Sequence, residues 1–412
     1  MCLALYYYES GKEKNLLLSE EELRAFFTAA NVNGEKYDIH ILEQASDVLQ
    51  KVKISGGGRC NVTHACFDPR ELTSFYPRGN KELLSVFTKF QPGDTMGWFE
   101  ERGVALKIED DNRIFPESNS SLSIMNALAD AVIANGTKVS TKQVVKKIEP
   151  QGEQWIITTS SEEFTADIVV FCTGSSPKSY QLLKPLNFKI VDLVPSLFTF
   201  NIKNKSIEGL MGTSFPNAWV KLPALKKEES GPLLITHWGL SGPAVLKLSA
   251  WCARELFAMD YNFDVNVNFL GIDISIAEDT LSQFKADNPK KSIGQSKVFD
   301  ITNRFWNHLL DINNIDPQKQ LGNISNKEVQ LILESLCQNK MQVKGKSTFK
   351  DEFVTAGGVD LKEIDFKTMQ SKKYPNFYLA GEVLNIDAIT GGFNFQACWS
   401  EAWLIAQDLN SK

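Results

Sequence analysis

The sequence predicts an α/β protein: a parallel sheet with helices packed around it, interrupted by an inserted β-rich domain and then a helical domain. Three observations predict it. Asp167-Ile168-Val169-Val170-Phe171-Cys172-Thr173-Gly174 is an apolar run that ends in a glycine turn, and strands buried on both faces of a parallel sheet read this way. Tyr37-Asp38-Ile39-His40-Ile41-Leu42-Glu43 is a strand that ends in an acid and leads to Ser55-Gly56-Gly57-Gly58-Arg59-Cys60-Asn61. Asn376-Phe377-Tyr378-Leu379-Ala380-Gly381-Glu382 repeats the strand-to-glycine pattern, followed by Gly391-Gly392 and a helix at Gln396–Leu409.

The elements follow in order. Helical patterns fill Glu71–Arg102, clearest at Lys81–Phe90. Asn112–Pro116 is a turn or short strand, and Ser121–Asn135 has the apolar spacing of an amphipathic helix. Lys138–Lys147, Gln154–Thr159 and Glu163–Phe171 alternate like strands. Short strands with many Gly and Pro residues run from Pro195 to Trp251, and helical segments from Ile276 to Asn339, clearest at Ser296–Leu310 and Asn326–Gln338. The domains expected are therefore residues 1–190 with 347–412 for the sheet, 191–270 for the β-rich insertion and 271–346 for the helical one.

A chain of 412 residues exceeds one ordinary core. A hydrophobic fraction of 43% and a charged fraction of 23% describe an ordinary globular protein. The net charge of -6 argues against a general nucleic-acid binder, but a local basic groove remains compatible with it. No apolar run is long enough to span a bilayer and the N-terminus lacks a signal-peptide pattern, so a cytoplasmic location is expected. Seven scattered cysteines without a CxxC pair point away from a metal site or a disulfide framework.

The glycine segment carries the chemistry. Three consecutive glycines free φ and remove three Cβ atoms, so backbone N–H groups can turn toward a bound anion. Arg59 adds a planar cationic fork suited to phosphate, and Asn61 adds a donor and an acceptor. Glu43, at a strand end, is placed to accept ribose hydroxyl protons in a dinucleotide fold. The Gly391-Gly392 turn at a helix start presents free N–H groups to a phosphate or an electron-rich ring edge. Each segment alone also reads as an ordinary turn.

Together these pieces closely resemble the BaiN/RdsA-type family of NAD(P)/FAD-dependent oxidoreductases. The resemblance runs from about Ala25 onward and rests most on Lys53–Asn61 and on Ala380-Gly381-Glu382 with Gly391-Gly392-Phe393-Asn394-Phe395-Gln396. Arg113–Pro116, Thr236–Pro243 and Thr355–Val359 support it. It implies a Rossmann-like, two-dinucleotide-type domain holding FAD, with NADH or NADPH as electron donor. Glu43 would hold the adenosine ribose, and Val145 would lie near the adenine. Ser55, Gly56, Gly57, Gly58, Arg59, Cys60 and Asn61 would lie along the pyrophosphate and flavin. Glu382 and Asn394 would lie near the ribityl chain and flavin, and Thr173, Gly174, Gly381, Gly391, Gly392 and Gln396 complete the implied cofactor set.

One element is missing. Such a fold opens with a strand and G-x-G-x-x-G, but Ser19-Glu20-Glu21-Glu22 stands there instead. A carboxylate about 4 Å from a phosphate costs roughly 4 kcal/mol at an effective dielectric near 20. A two-base offset across suitably chosen codons for Leu17–Phe27 reads Ile-Ile-Gly-Gly-Gly-Ala-Ala-Gly-Phe-Phe, which contains the fingerprint. Residues 1–27 are thus either a frame error or a real loss of the phosphate loop, and sequencing the gene's 5′ end separates the two. In either case the chain as it stands is expected to lack the first strand and to bind FAD poorly.

If FAD binds, a cycle of reduction by NAD(P)H and hydride delivery to a C=C or C=N bond is expected, on a small molecule; the reverse oxidation fits equally. No proton donor stands out. His237, in a Gly-rich turn, and His64, just beyond Asn61, are candidates, with structural roles the plainer reading of both. Cys60 and Cys66 have C-x5-C spacing rather than the C-x4-C of disulfide reductases. Lys226-Lys227, Lys290-Lys291 and Lys340–Lys350 offer a basic surface for a rival function, reduction of uridine in ribosomal RNA. A third reading is a remnant that has lost FAD.

Overall fold

The apolar run Ile168–Phe171 becomes a strand with all four side chains buried, as a strand covered on both faces requires. The structure, a computed structural model, describes residues 14–18, 22–347 and 354–412. Along the chain, β1 (Lys14–Leu18) leads to α1 (Glu22–Asn31) and β2 (Tyr37–Leu42). A kinked α2 (Gln50–Gly58) precedes β3 (Thr63–His64), the helices α3 (Pro69–Thr73), α4 (Asn80–Phe87) and α5 (Pro92–Glu100), and the strands β4 (Leu106–Ile108) and β5 (Arg113–Pro116). Next come α6 (Ser121–Ala134), β6 (Lys138–Ser140), β7 (Val145–Gln151), β8 (Gln154–Thr159), β9 (Glu163–Ala166), β10 (Ile168–Phe171), α7 (Pro177–Leu183) and β11 (Ile190–Ser196). There follow β12 (Thr199–Ile202), β13 (Ser214–Leu222), β14 (Lys227–Ile235), β15 (Gly239–Ser241), α8 (Pro243–Trp251), α9 (Ala253–Ala258), β16 (Asn262–Asn268), α10 (Ile274–Asp287), α11 (Asn303–Ile312), α12 (Asn326–Cys337) and β17 (Asn339–Ser347). Last are β18 (Val354–Val359), β19 (Ile364–Asp365), β20 (Gln370–Ser371), β21 (Phe377–Leu379) and α13 (Phe393–Asn410).

The chain divides into two compact units, residues 1–193 with 354–412, and residues 194–353. The first is Rossmann-like. Its main sheet has the order β19-β20-β21-β10-β1-β2-β6, and the run from β21 to β6 is parallel throughout. One expectation is corrected here. The first strand is present: β1 pairs with β10 through Leu16↔Ile168 and with β2 through Leu16↔Ile39. A ladder needs only an extended backbone, and the run Leu16-Leu17-Leu18 supplies one despite the acidic residues after it. Residues 19–21, where the phosphate loop would turn, lie outside the described residues. α1 packs on α13, with Phe27 and Trp399 rings 5.0 Å apart and Phe27 4.7 Å from Trp98.

The second unit is a closed barrel of order β12-β15-β14-β13-β16-β17. Its β-rich and helical parts share one core. Phe200, Val220, Val265 and Val343 of the barrel cluster with Phe305, Leu309, Leu333 and Leu336 of α11 and α12. The stretches expected as two domains, 191–270 and 271–346, are therefore one unit. The physical reason is connectivity: α10–α12 are inserted between β16 and β17, which are barrel neighbours, so the helices bury their apolar faces on the barrel that brackets them. Among the described residues no helix is long and apolar enough to cross a membrane.

Candidate functional site

Open parallel sheets take ligands outside the carboxyl ends of their strands. Glu43 lies at that end of β2. It is 2% exposed, and its N–H donates to Ser140 C=O at 2.8 Å, which ties it to the end of β6. Its Oε1 accepts the Ala45 N–H at 2.6 Å, while Oε2 is buried with no partner. A buried carboxylate oxygen without a donor is costly unless a ligand supplies one. Its carbonyl accepts the Gln143 N–H at 2.8 Å, and Val145, two residues on, is buried at the start of β7.

Ser55–Asn61 does not continue α2 as a helix. Ser55 is extended, and Gly56, Gly57, Gly58 and Cys60 all take positive φ, from 57° to 84°. Four left-handed residues in five positions suit glycine, and only Cys60 bears a side chain there. A Cβ on Gly57 would meet nothing within 4 Å, so this turn of backbone is open on one side. Cys60 is buried, and burial pushes its thiol up to about 12. Cys66 is a separate thiol, raised to about 11 chiefly by burial.

Several implied cofactor residues already have protein partners. Arg59 Nη2 donates to Glu109 Oε1 at 2.6 Å and its guanidinium lies 3.8 Å from the Phe115 ring centre. Ser55 Oγ donates to the Val52 carbonyl at 2.8 Å. Asn394 accepts from the Ala388 N–H at 3.0 Å and donates to the Ala388 carbonyl at 3.3 Å. Gln396 is fully buried: its Oε1 accepts from Thr63 and Thr95 hydroxyls at 2.5 and 3.0 Å, and its Nε2 donates to Ser400 Oγ at 3.0 Å.

The fold brings Gly56, Asn61, Thr63, His64, Gly391 and Gly392 together. Asn61 Oδ1 is buried with no partner and would lie 2.9 Å from a Cβ on Gly392. His64 Nδ1 is 3.1 Å from the Gly391 carbonyl, and its ring centre is 4.5 Å from that of Phe393. Thr173 and Gly174 are buried just beyond β10, and Thr173 Oγ1 also lacks a partner. Ser175 donates to Thr355 Oγ1 at 2.7 Å and to Glu382 Oε2 at 3.3 Å. Tyr180 OH donates to the Glu382 carbonyl at 3.2 Å. His237 is in the second unit, exposed on the turn between β14 and β15.

Sequence reasoning missed Arg24 and Glu401. Arg24 Nε donates to Glu401 Oε2 at 3.2 Å, with side chains 3% and 0% exposed. The same oxygen accepts the Gly381 N–H at 2.8 Å. The partners stand 377 positions apart, and no local pattern marks either.

The fold is that of a Rossmann-type oxidoreductase, and the chain belongs to the HI0933-like Rossmann-domain family, whose model matches residues 25–408. It is similar to a ribosomal RNA dihydrouridine synthase of Escherichia coli, 26% identical over 373 residues, covering 87% of this chain and 89% of the relative. It is also similar to the protein of that name from Haemophilus influenzae, 25% identical over 93% of this chain and 95% of the relative. A third relative is a 3-dehydro-bile acid delta(4,6)-reductase of Clostridium scindens, 24% identical over 92% of this chain and 94% of the relative. The resemblance to the BaiN/RdsA type holds, and the chain is an oxidoreductase of that class.

FAD, if bound, would meet these residues at its two ends. The unpartnered atoms of Glu43, Asn61 and Thr173 are what ribose hydroxyls and the polar edge of a flavin would satisfy, and the open side of Gly57 leaves room for close approach. The span between is different, because the Arg24 guanidinium lies against Gly381.

Proposed function

We propose that this chain is an FAD-dependent reductase that takes hydride from NADH or NADPH and saturates a C=C or C=N bond of a small molecule. One observation carries the reading: acceptor atoms of Glu43, just past the end of β2, and of Asn61, beside Gly56 and Gly392, are buried and left unmatched. FAD supplies the two-electron chemistry when bound. The chain's residues then do the holding. Glu43 accepts ribose hydroxyls through Oε2, Gly56–Gly58 offer bare backbone, and Asn61 orients the flavin edge. Thr173 donates from the end of β10. His64, oriented by Gly391 and packed on Phe393, is the imidazole of this cluster. The names of the relatives support the reaction type, since making a dihydrouridine and reducing a delta(4,6) bond system both saturate carbon–carbon double bonds.

The test is a titration of the purified protein with FAD, followed by NADH and NADPH oxidation with a panel of conjugated ring acceptors. Turnover that requires FAD supports the reading. Saturating FAD without flavin reduction by either nicotinamide sinks the proposed donor.

A second reading, uridine reduction in RNA, is favoured by the relatives' names and by one observation. Lys340 and Lys344 stand exposed on one face of β17, opposite Asn266 and Asn262 of β16, and Lys226-Lys227 and Lys290-Lys291 are exposed as well. Lys350 lies outside the described residues. Binding of ribosomal RNA fragments whose affinity falls steeply with salt favours this reading over the small-molecule one.

A further inference from the structure

Arg24 stands where the third glycine of a G-x-G-x-x-G loop starting at residue 19 would fall. That glycine normally lets helix and strand pack closely. Here a full arginine side chain occupies the position and is 3% exposed. A Cβ on Gly381 would lie 2.5 Å from Arg24 Nη1 and 2.8 Å from Cζ, so the guanidinium covers the face of that glycine. Cys398, Glu401, Cys172, Glu382 and Tyr76 are among the ionisable groups that interact with its charge. Cys172 follows β10 and Glu382 follows β21, which places the guanidinium at the carboxyl ends of these strands. A doubly wound sheet takes the diphosphate of a dinucleotide there. Glu401 binds Arg24 and Gly381 through Oε2 only, and its Oε1 is buried without a partner. The arginine is thus already engaged by a carboxylate and has almost no open face, while a bare carboxylate oxygen stands beside it. Neither feature welcomes a diphosphate.

We infer that the Arg24–Glu401 pair fills the diphosphate subsite of the cofactor crevice, so this chain keeps the contacts for the two ends of FAD but closes the span between them. The inference rests on reading the crevice as an FAD site. Binding then requires the pair to part and the guanidinium to leave its pocket.

The experiment compares the full chain with the double variant Arg24→Ala, Glu401→Gln, which removes both charges and opens the space. FAD, AMP and riboflavin are titrated into each by fluorescence and calorimetry, with thermal melting to confirm folding. AMP and riboflavin probe the two ends without a diphosphate. The double variant is expected to bind FAD about tenfold tighter or more, a gain of roughly 1.4 kcal/mol, with AMP and riboflavin affinities little changed. Parent binding of FAD as tight as the variant's overturns the inference. So does weaker FAD binding by the variant, which would make Arg24 a phosphate anchor instead. AMP binding with no gain for FAD also overturns it but leaves the flavoprotein reading standing. If none of the three ligands binds either protein, both fail.

Discussion

Thr63 Oγ1 donates to Gln396 Oε1 at 2.5 Å, joining β3 to α13 across 333 positions of sequence. Thr95 adds a second hydroxyl to the same oxygen at 3.0 Å, and the amide nitrogen donates to Ser400. Gln396 was expected against the cofactor from the family resemblance. In the structure its amide instead fastens the Thr63 strand beside the Gly392 turn.

Replacing Gln396 with Ala should therefore act on stability. It leaves the Thr63 and Thr95 hydroxyls buried with fewer partners and opens a cavity, at a cost of about 3 kcal/mol. Urea unfolding should show a lower midpoint with an unchanged slope. A midpoint equal to the parent's would mean that the latch carries no weight.

Gly57 and Gly392 should separate cradle from scaffold. At Gly392, φ is 95° and a Cβ would lie 2.6 Å from the Thr63 carbonyl oxygen, so Gly392→Ala should destabilise by about 2–4 kcal/mol. At Gly57, φ is 69° but nothing lies within 4 Å of a Cβ. Gly57→Ala should cost only about 1 kcal/mol of stability, yet weaken FAD by about tenfold because the methyl projects into the open side. Equal FAD affinity in Gly57→Ala and parent would place the cofactor elsewhere.

Glu43→Gln should keep the fold, since an amide oxygen can still accept the Ala45 N–H. It should lose a charge-assisted bond to a ribose hydroxyl, of about 1.5–3 kcal/mol, or roughly 10- to 100-fold in affinity for AMP and FAD. Riboflavin, which lacks the adenosine, should be unaffected. Loss of riboflavin binding to the same degree would point to general damage.

Acid should destabilise the sheet through His40. Its Nε2 lies 2.8 Å from Ser140 Oγ, and burial, then the neighbouring Lys138, push it from 6.5 down to about 4. A base with a depressed folded-state pKa is held neutral, so its contribution is fully present above pH 6.5 and is lost as pH falls toward 4. A shift of this size corresponds to a few kcal/mol, about 1.4 kcal/mol per pH unit. Denaturant melts between these limits should show falling stability in the parent and a flatter profile in His40→Gln. Parallel profiles would assign the acid response to other groups.

Where an element is defined by short-range chemistry, it is legible in the chain. Ile168–Phe171 reads as a doubly covered strand because four apolar residues in a row leave no polar face. Ser55–Asn61 reads as a non-helical turn because only glycine takes left-handed φ freely. The strand–acid pattern at Glu43 places a carboxylate at a sheet end. Tertiary structure decides what those groups then touch. Arg59 meets Glu109 and Phe115, Gln396 meets Thr63, and Arg24 meets Glu401 and Gly381 because strands and helices far apart in sequence are brought side by side by the fold. β1 forms despite its acidic neighbours because its partners β2 and β10 offer a ready ladder on both sides, a favourable term that no reading of residues 14–18 alone contains. The helices 274–337 join the barrel core because β16 and β17, which bracket them, are neighbours in space. Side-chain identity sets which conformations are cheap, whereas pairing across hundreds of residues depends on the packed whole.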